Sequence, residues 1–429
     1  MNGYKEWVDR KKFKEIFKRF WETFKKKFPR YEDVRYDEAV KKMVGCGDPE
    51  NGFSTYICSC CGGEEKKVPF SCKSPFCLSC AKVYIDNWVA RIKAILFKEV
   101  SYRHVILTIP EDLRIYFYRQ GRLLSELMGV GVACLEDLLN TVLRMKVQGG
   151  YIVVMQTNGR SGSYNPHLHF IMTSGGITKS RKSRDKWVDL RYFPYKILHK
   201  KWQYYLFSML KEKVNTSEMR GKIDELYKKY PNGLVAHVQR GQVPKKIKNL
   251  SRYLAKYVVS PPISIRRIRY YDGKMVEYWY NDHYTGKRKT EIVDVFTFIG
   301  RMVQHILPKG MQRIRYYGLH GTAVYKKVYK KVGYVFKRGF RGLKDTFCIK
   351  KGTYRERVIE STSRDPFICS RCGGEMILWK VWHPEYGVIY DEEERLKRGV
   401  YDGDESRRDR DVGNQSNALL QLSLQELWV

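Results

Sequence analysis

The sequence predicts an α+β fold with a metal-held module and a polyanionic partner, and one observation stands behind each. Short β-branched runs are interspersed with long leucine-rich stretches of helical period, so strands and helices share one chain. Seven of the eleven cysteines crowd into residues 46–80, which marks a separate metal-held module ahead of that body. Lysine and arginine outnumber acidic residues 81 to 46, for a net charge of +35, and 14% of residues are aromatic. That excess of charge points to a polyanionic partner, and the aromatics that come with it can stack on unpaired bases. At 429 residues the chain is long enough for two to four domains, at roughly 100–200 residues each.

Along the chain, residues 1–45 read as a basic amphipathic helical arm. Phe13, Phe17, Phe20 and Phe24 recur at helical spacing, and the arm packs on the protein while offering lysines to phosphates. It is too charged for a secretory signal, and no window approaches the roughly 18 apolar residues that span a membrane. "YRHVILTIP" (102–110) is a buried strand closed by proline, and residues 111–146 carry helical leucines. "GGYIVVMQ" and "HLHFIMTSGG" are two strands joined by a polar loop. Helical stretches follow at 184–214 and 217–229, then a short strand at 233–240. "VPKKIKNLSRYLAKYVVS" is a helix stopped by Pro261–Pro262. Residues 263–294 form hairpins with a DG turn, "VFTFIGRMVQHIL" is a helix, and "GMQRIRYYGLHG" is a basic, aromatic strand or loop. The end of the chain, from Tyr401, reads as a flexible tail with a short terminal helix.

The cysteine spacing predicts zinc. Cys58-x-x-Cys61 and Cys77-x-x-Cys80 are separated by fifteen residues, as in four-cysteine sites where each pair makes a knuckle. Four thiolates leave no open position for water, so such a zinc is structural. Cys46 and Cys72 make a second, incomplete site, or Cys72 replaces one of the four; Cys60 is spare. Cys369 and Cys372 are half a site, whose partners are other cysteines or none.

A second metal is predicted on the strand "NPHLHFIMT". His167 and His169 are two apart, so both imidazoles face one side, about 7 Å apart, while Leu168, Phe170 and Met172 face the other and pack on helices. The pair can chelate a divalent ion with a third ligand; Gln156 supplies an oxygen, with His104 and His237 as rivals. In "YLAKY", Tyr253 and Tyr257 share a helix face. A phenol is a poor nucleophile at neutral pH, but it serves phosphoryl transfer when a metal polarises the phosphate. Tyr253 and Tyr257 then attack in turn, with Lys256 steadying the phosphate; otherwise they are core packing. Arg266, Arg267, Arg269, Arg313, Arg315 and Tyr316 lie in a segment suited to phosphates and bases.

The order "HVILTIP", "HLHF", "YLAKY" resembles the three motifs of HUH endonucleases. With "CSCCGG…PFSCKSPFCLSC", "YLAKYVVSPPISIRRI" and "YYDGKMVEYWYNDHYTGKRK…HILPKGMQRIRYYG", the chain resembles IS91-family transposases from about residue 40 to about 375. The resemblance implies an HUH core, an antiparallel sheet flanked by helices, with metal histidines at His167 and His169 and tyrosines at Tyr253 and Tyr257. It implies cleavage and rejoining of single-stranded DNA with Mg²⁺ or Mn²⁺, in the prokaryotic cytoplasm at the nucleoid. The absence of a GxxxxGK[ST] loop leaves strand separation to a host helicase. The expected organisation is 1–45 arm, 46–95 zinc-binding domain, 96–262 nuclease domain, 263–345 β-rich DNA-binding extension, and 346–429 C-terminal knuckle and tail. Two rival readings use the same residues: a rolling-circle replication initiator or relaxase, and a non-catalytic zinc protein that binds nucleic acid.

Overall fold

The computed structural model describes residues 11–97, 100–178, 185–239, 253, 262–282, 285–323, 325–336, 353–362 and 364–399. They fall into two compact units, one within Met1–Ala39 and Ala81–Lys350, the other within Val40–Cys80 and Lys351–Val429. The expected boundaries differ from this division in several places, and residues 40–45 of the expected arm fall in the smaller unit. The C-terminal knuckle shares a unit with the cysteine-rich segment, and residues 81–95 belong to the larger unit as a helix, Ala81–Ile95.

The larger unit is built on a five-stranded antiparallel sheet. Its strands are β1 (Tyr102–Thr108), β2 (Gly150–Asn158), β3 (Tyr164–Thr173), β4 (Ala236–Val238) and β5 (Ile314–Gly318), in the spatial order β5-β2-β3-β1-β4. Residues directly opposite one another share a face of the sheet. His169 stands opposite Ile106 and Val154, and His167 opposite Thr108 and Gln156. The alternate residues Val105, Leu107, Leu168, Phe170 and Met172 therefore point the other way. They are buried with the leucines of the helices Arg122–Leu143, Tyr195–Val214 and Ser217–Lys229. The alternation expected for His167 and His169 is what the strand shows. One position lets the long helix sit this close. A Cβ on Gly131 would lie 2.6 Å from Phe170 and 2.7 Å from Leu168, so only glycine fits without repacking. On the histidine face, Ile152, Val154 and Ile171 are covered at one end by Val89 and Ile92 of the helix Ala81–Ile95 and by Tyr325, Val328 and Val332.

A three-stranded sheet, Ile268–Tyr271, Met275–Asn281 and Arg288–Asp294, turns at Asp272–Gly273, where Gly273 takes φ +93. Its last residue, Asp294, caps the helix Val295–Val303 by accepting from the Phe296 and Thr297 N–H groups. The basic arm is the helix Lys12–Lys27. It buries Phe13, Phe17 and Phe24 against that helix, with Phe13 edge-on to Phe298 at 6.2 Å. Its phenylalanine stripe is thus a packing face, as its period predicts.

Three expectations need adjustment. Residues 187–189 form a short strand, and the helix expected from 184 begins only at Tyr195, after Pro194, because proline disfavours helix in the residue before it. The strand Ile314–Gly318, expected within the DNA-binding extension, is instead an edge of the histidine-bearing sheet. The "YLAKY" helix lies outside the described residues apart from Tyr253, as does the tail from Tyr401.

The smaller unit is a four-stranded antiparallel sheet. Phe53–Cys58 pairs on one side with Glu65–Pro69 and on the other with Met376–His383, which pairs with Gly387–Asp391. Phe53 meets Trp382 at 5.5 Å, tilted by 32°, across this seam, so residues more than 300 apart in sequence pack side by side.

Candidate catalytic and metal-binding sites

The sheet gathers a polar cluster at the end of β3. The rings of His167 and His169 lie 4.9 Å apart, measured between centroids. His167 Nδ1 is 2.7 Å from the Asn165 carbonyl. A carbonyl only accepts, so Nδ1 carries the proton and Nε2 keeps its lone pair. His169 Nε2 is 3.1 Å from Gln156 Oε1, and its Nδ1 is 2.9 Å from His104 Nε2. His104 Nδ1 is 2.9 Å from Gln239 Oε1, and that oxygen also accepts the Tyr253 hydroxyl at 2.7 Å. One connected chain of contacts therefore runs from Gln156 through two histidines and Gln239 to the Tyr253 phenol.

Burial disfavours the charged imidazole at each of these histidines. It draws His104 down to about 4, holds His167 below its ordinary value, and holds His169 well below it. All three are neutral near pH 7, the form that ligates metal. His167, His169 and Gln156 together offer two imidazole nitrogens and an amide oxygen, a set that can hold a divalent ion but is richer in nitrogen than oxygen-preferring Mg²⁺ usually takes. Of the rivals, His104 supports His169 from behind, and His237, opposite Ile106 on the same face, is exposed. Gln239 is the residue that the sequence reading leaves out, a glutamine just past the end of β4, while His104, named there as a rival ligand, takes a supporting place behind His169. Lys256 and Tyr257 lie outside the described residues.

The cysteines group differently from their spacing. Cys58, Cys61, Cys77 and Cys80 do not form one site. Cys46 joins Cys72, Cys77 and Cys80, while Cys58 and Cys61 join Cys369 and Cys372, with the four sulfurs of each group within 4.8 Å of one another. Sulfur separations are 3.4 Å for Cys46–Cys80, 3.8 Å for Cys72–Cys80, 3.4 Å for Cys58–Cys372 and 3.7 Å for Cys61–Cys369. These are far longer than a disulfide bond of about 2.05 Å. They are near the roughly 3.8 Å that tetrahedral geometry gives for Zn–S bonds of about 2.3 Å. The Cys61 N–H approaches the Cys58 sulfur and helps draw that thiol down to about 6, toward the thiolate a metal needs. The strand pairing of Phe53–Cys58 with Met376–His383 supplies the reason for the regrouping: it lays the second knuckle beside the first. Cys60 joins neither group.

The basic residues divide into two sets. Arg269 is exposed on the three-stranded sheet beside Tyr270, which is 55% exposed, and pairs loosely with Glu277 at 3.7 Å, while Arg266 is exposed on the 3₁₀ turn Ile265–Arg267 just before that strand. Arg267 and Arg288 lie over the Trp279 ring at 5.4 and 3.9 Å. The other set is on the edge strand of the histidine-bearing sheet. Arg315 turns toward the long helix and donates to Ser125 Oγ, and burial lowers Arg313. Tyr316 packs on Trp88 at 6.4 Å, and burial pushes its hydroxyl up to about 12. Arg315 and Tyr316, both half-buried, thus help hold the edge strand in place.

A family described as "Transposase zinc-binding domain" matches residues 16–109, and one described as "Putative transposase" matches residues 150–327. The chain is 25% identical to the transposase for insertion sequence element IS801 of Pseudomonas savastanoi pv. phaseolicola over 353 residues, 79% of this chain and 82% of that protein. A relative in Sinorhizobium fredii (strain NBRC 101917 / NGR234), described in the same words as the second family, is 23% identical over 392 residues, 86% of this chain and 94% of its own. No solved structure matches. The two matched families together describe a transposase with a zinc-binding domain. The chain belongs to the IS91 family of transposases. Among the described residues, no helix is long and apolar enough to cross a membrane.

Proposed function

We propose that the chain cuts and rejoins single-stranded DNA at the ends of its element through 5′-phosphotyrosine intermediates, in rolling-circle transposition on an HUH core. The observation that carries this reading is the hydrogen-bonded path joining the Tyr253 phenol to the His167–His169 face. A divalent ion held by His167, His169 and Gln156 would polarise the scissile phosphate and offset its developing charge. The Tyr253 phenol gives up its proton to solvent as its oxygen attacks phosphorus and the P–O3′ bond breaks. Solvent returns a proton to the leaving 3′ oxygen, and the 5′ phosphate stays esterified to the tyrosine, so the strand is rejoined without ATP. Tyr257 is the second nucleophile and Lys256 steadies the phosphate. The exposed face of Arg266, Arg269 and Tyr270 holds the single strand by phosphate pairing and base stacking. The two four-thiolate groups hold structural zinc, and the zinc unit recognises an element end. A host helicase opens the duplex, in the cytoplasm at the nucleoid.

The test mixes the chain with labelled single-stranded oligonucleotides of element ends and Mn²⁺, followed by a denaturing gel. A covalent band that Tyr253→Phe or Tyr257→Phe abolishes supports the reading. Tight single-strand binding with no band from any end sequence supports a non-catalytic zinc protein instead.

A further inference from the structure

We propose that Gln239 and His104 form a positioning relay: Gln239 Oε1 holds the Tyr253 phenol and, through His104, fixes the tautomer in which His169 presents Nε2 to Gln156. This rests on the nuclease reading above, and it adds two residues to the site.

The argument is one of hydrogen-bond direction. An amide oxygen only accepts, and it has two lone pairs. Gln239 Oε1 faces two donors, the Tyr253 hydroxyl at 2.7 Å and His104 Nδ1 at 2.9 Å. His104 Nδ1 therefore carries its proton, and a neutral imidazole has only one. His104 Nε2 is then an acceptor. Gln156 Oε1 also only accepts, so two neutral imidazoles bring two protons to three contacts and one contact is left with two lone pairs; a cation at the His169 Nε2–Gln156 Oε1 contact selects the arrangement in which His169 Nδ1 donates to His104 Nε2, 2.9 Å away. That leaves His169 Nε2 with a lone pair facing Gln156 Oε1 at 3.1 Å. Two acceptors facing each other repel unless a cation lies between them, which is the arrangement a metal satisfies. Turning the Gln239 amide over would reverse every donor in the chain and place a proton on His169 Nε2.

The relay is also rigid. The Gln239 N–H donates to the His104 carbonyl at 3.0 Å, so backbone pairing registers the two residues as well. The His104 ring lies 20° from parallel to His169, at 5.1 Å, and edge-on to Tyr253, at 5.5 Å. A phenol placed by this stack cannot shift without disturbing the ring that orients the metal ligand.

Gln239→Leu removes the acceptor, whereas Gln239→Glu keeps an acceptor oxygen in its place. Both are made in the full zinc-loaded chain and checked for folding by circular dichroism. Mn²⁺ binding is read from loss of the free-ion EPR signal, and adduct formation with single-stranded ends is timed at saturating Mn²⁺. The relay predicts that Gln239→Leu weakens Mn²⁺ binding by roughly 10–100-fold, as for other partners behind a ligand. It also predicts slower adduct formation even at saturating metal, and recovery of both in Gln239→Glu. A folded Gln239→Leu chain that binds Mn²⁺ and reacts like the parent overturns the relay. So does one in which only metal binding changes, or a Gln239→Glu chain that recovers neither. A parent chain that forms no adduct overturns the nuclease reading itself.

Discussion

Replacing Cys369 with serine should remove one zinc of two. The structure puts Cys369 3.7 Å from Cys61 and Cys372 3.4 Å from Cys58, across 308 and 314 residues of chain. Cys46, Cys72, Cys77 and Cys80 make a second complete set. Each set has the four thiolates a structural zinc requires, so the native chain should carry two zinc ions. Cys369→Ser leaves one three-thiolate remnant, and a structural zinc is held by an apparent 10–16 kcal/mol or so that depends on its full ligand set. Zinc released on thiol modification, measured with a chromogenic chelator against protein concentration, should fall from two equivalents to about one. Cys46→Ser should do the same through the other set, and the double variant should approach zero. If the knuckles paired by sequence proximity, as Cys58, Cys61, Cys77 and Cys80, the native chain would carry one zinc and Cys369→Ser would not change it. That result would refute the regrouping.

Three further outcomes follow from the packing and charges. Gly129→Ala and Gly131→Ala, on one helix, should have opposite signs. Nothing lies within 4 Å of a Cβ at Gly129, so alanine gains up to about 1 kcal/mol of helix propensity, whereas the 2.6 Å approach to Phe170 at Gly131 should cost roughly 1–3 kcal/mol, read from denaturant midpoints. Burial draws His305 down to about 4 and His320 to about 3 from 6.5. The unfolded chain takes up these protons below pH 6.5 while the folded chain refuses them. Stability is therefore full above that pH and falls as pH drops toward 4, by about 1.4 kcal/mol per unit for each histidine. His305→Gln should make the slope shallower by about one proton; an unchanged slope would contradict this. Arg266→Gln should weaken single-strand binding uniformly across sequences and reduce the salt dependence of log K by about 0.7, while Tyr270→Ala should cost about 1–3 kcal/mol of binding.

The histidine strand was legible because a period of two needs nothing beyond its own residues: once His167 and His169 share a face, Leu168 and Phe170 must take the other. The arm helix was legible for the same reason at a period of 3.6. The zinc grouping was not. A C-x-x-C knuckle announces a ligand pair but not its partner, and the choice was made by a strand pairing between Phe53–Cys58 and Met376–His383 that no local pattern encodes. What Arg315 and Tyr316 pack against was hidden for a related reason. Their composition suits DNA, but pairing of Ile314–Gly318 with Gly150–Asn158 turns one toward Ser125 and the other onto Trp88. Gln239 escaped, and His104 was seen only as a rival ligand, because β1 and the end of β4 lie apart in sequence from the histidine pair and only the sheet order brings them together.

The most direct test of the central claim is to find the atom that carries the DNA. The chain is reacted with single-stranded element ends and Mn²⁺, the adduct is digested with nuclease and protease, and the peptides are sequenced by tandem mass spectrometry. The account predicts a 5′-phosphonucleotide on a tyrosine of the peptide holding Tyr253 and Tyr257, with Tyr253 modified in the Tyr257→Phe chain. A nucleotide carried on any other residue, or modified Tyr257 with Tyr253 never labelled, would contradict it.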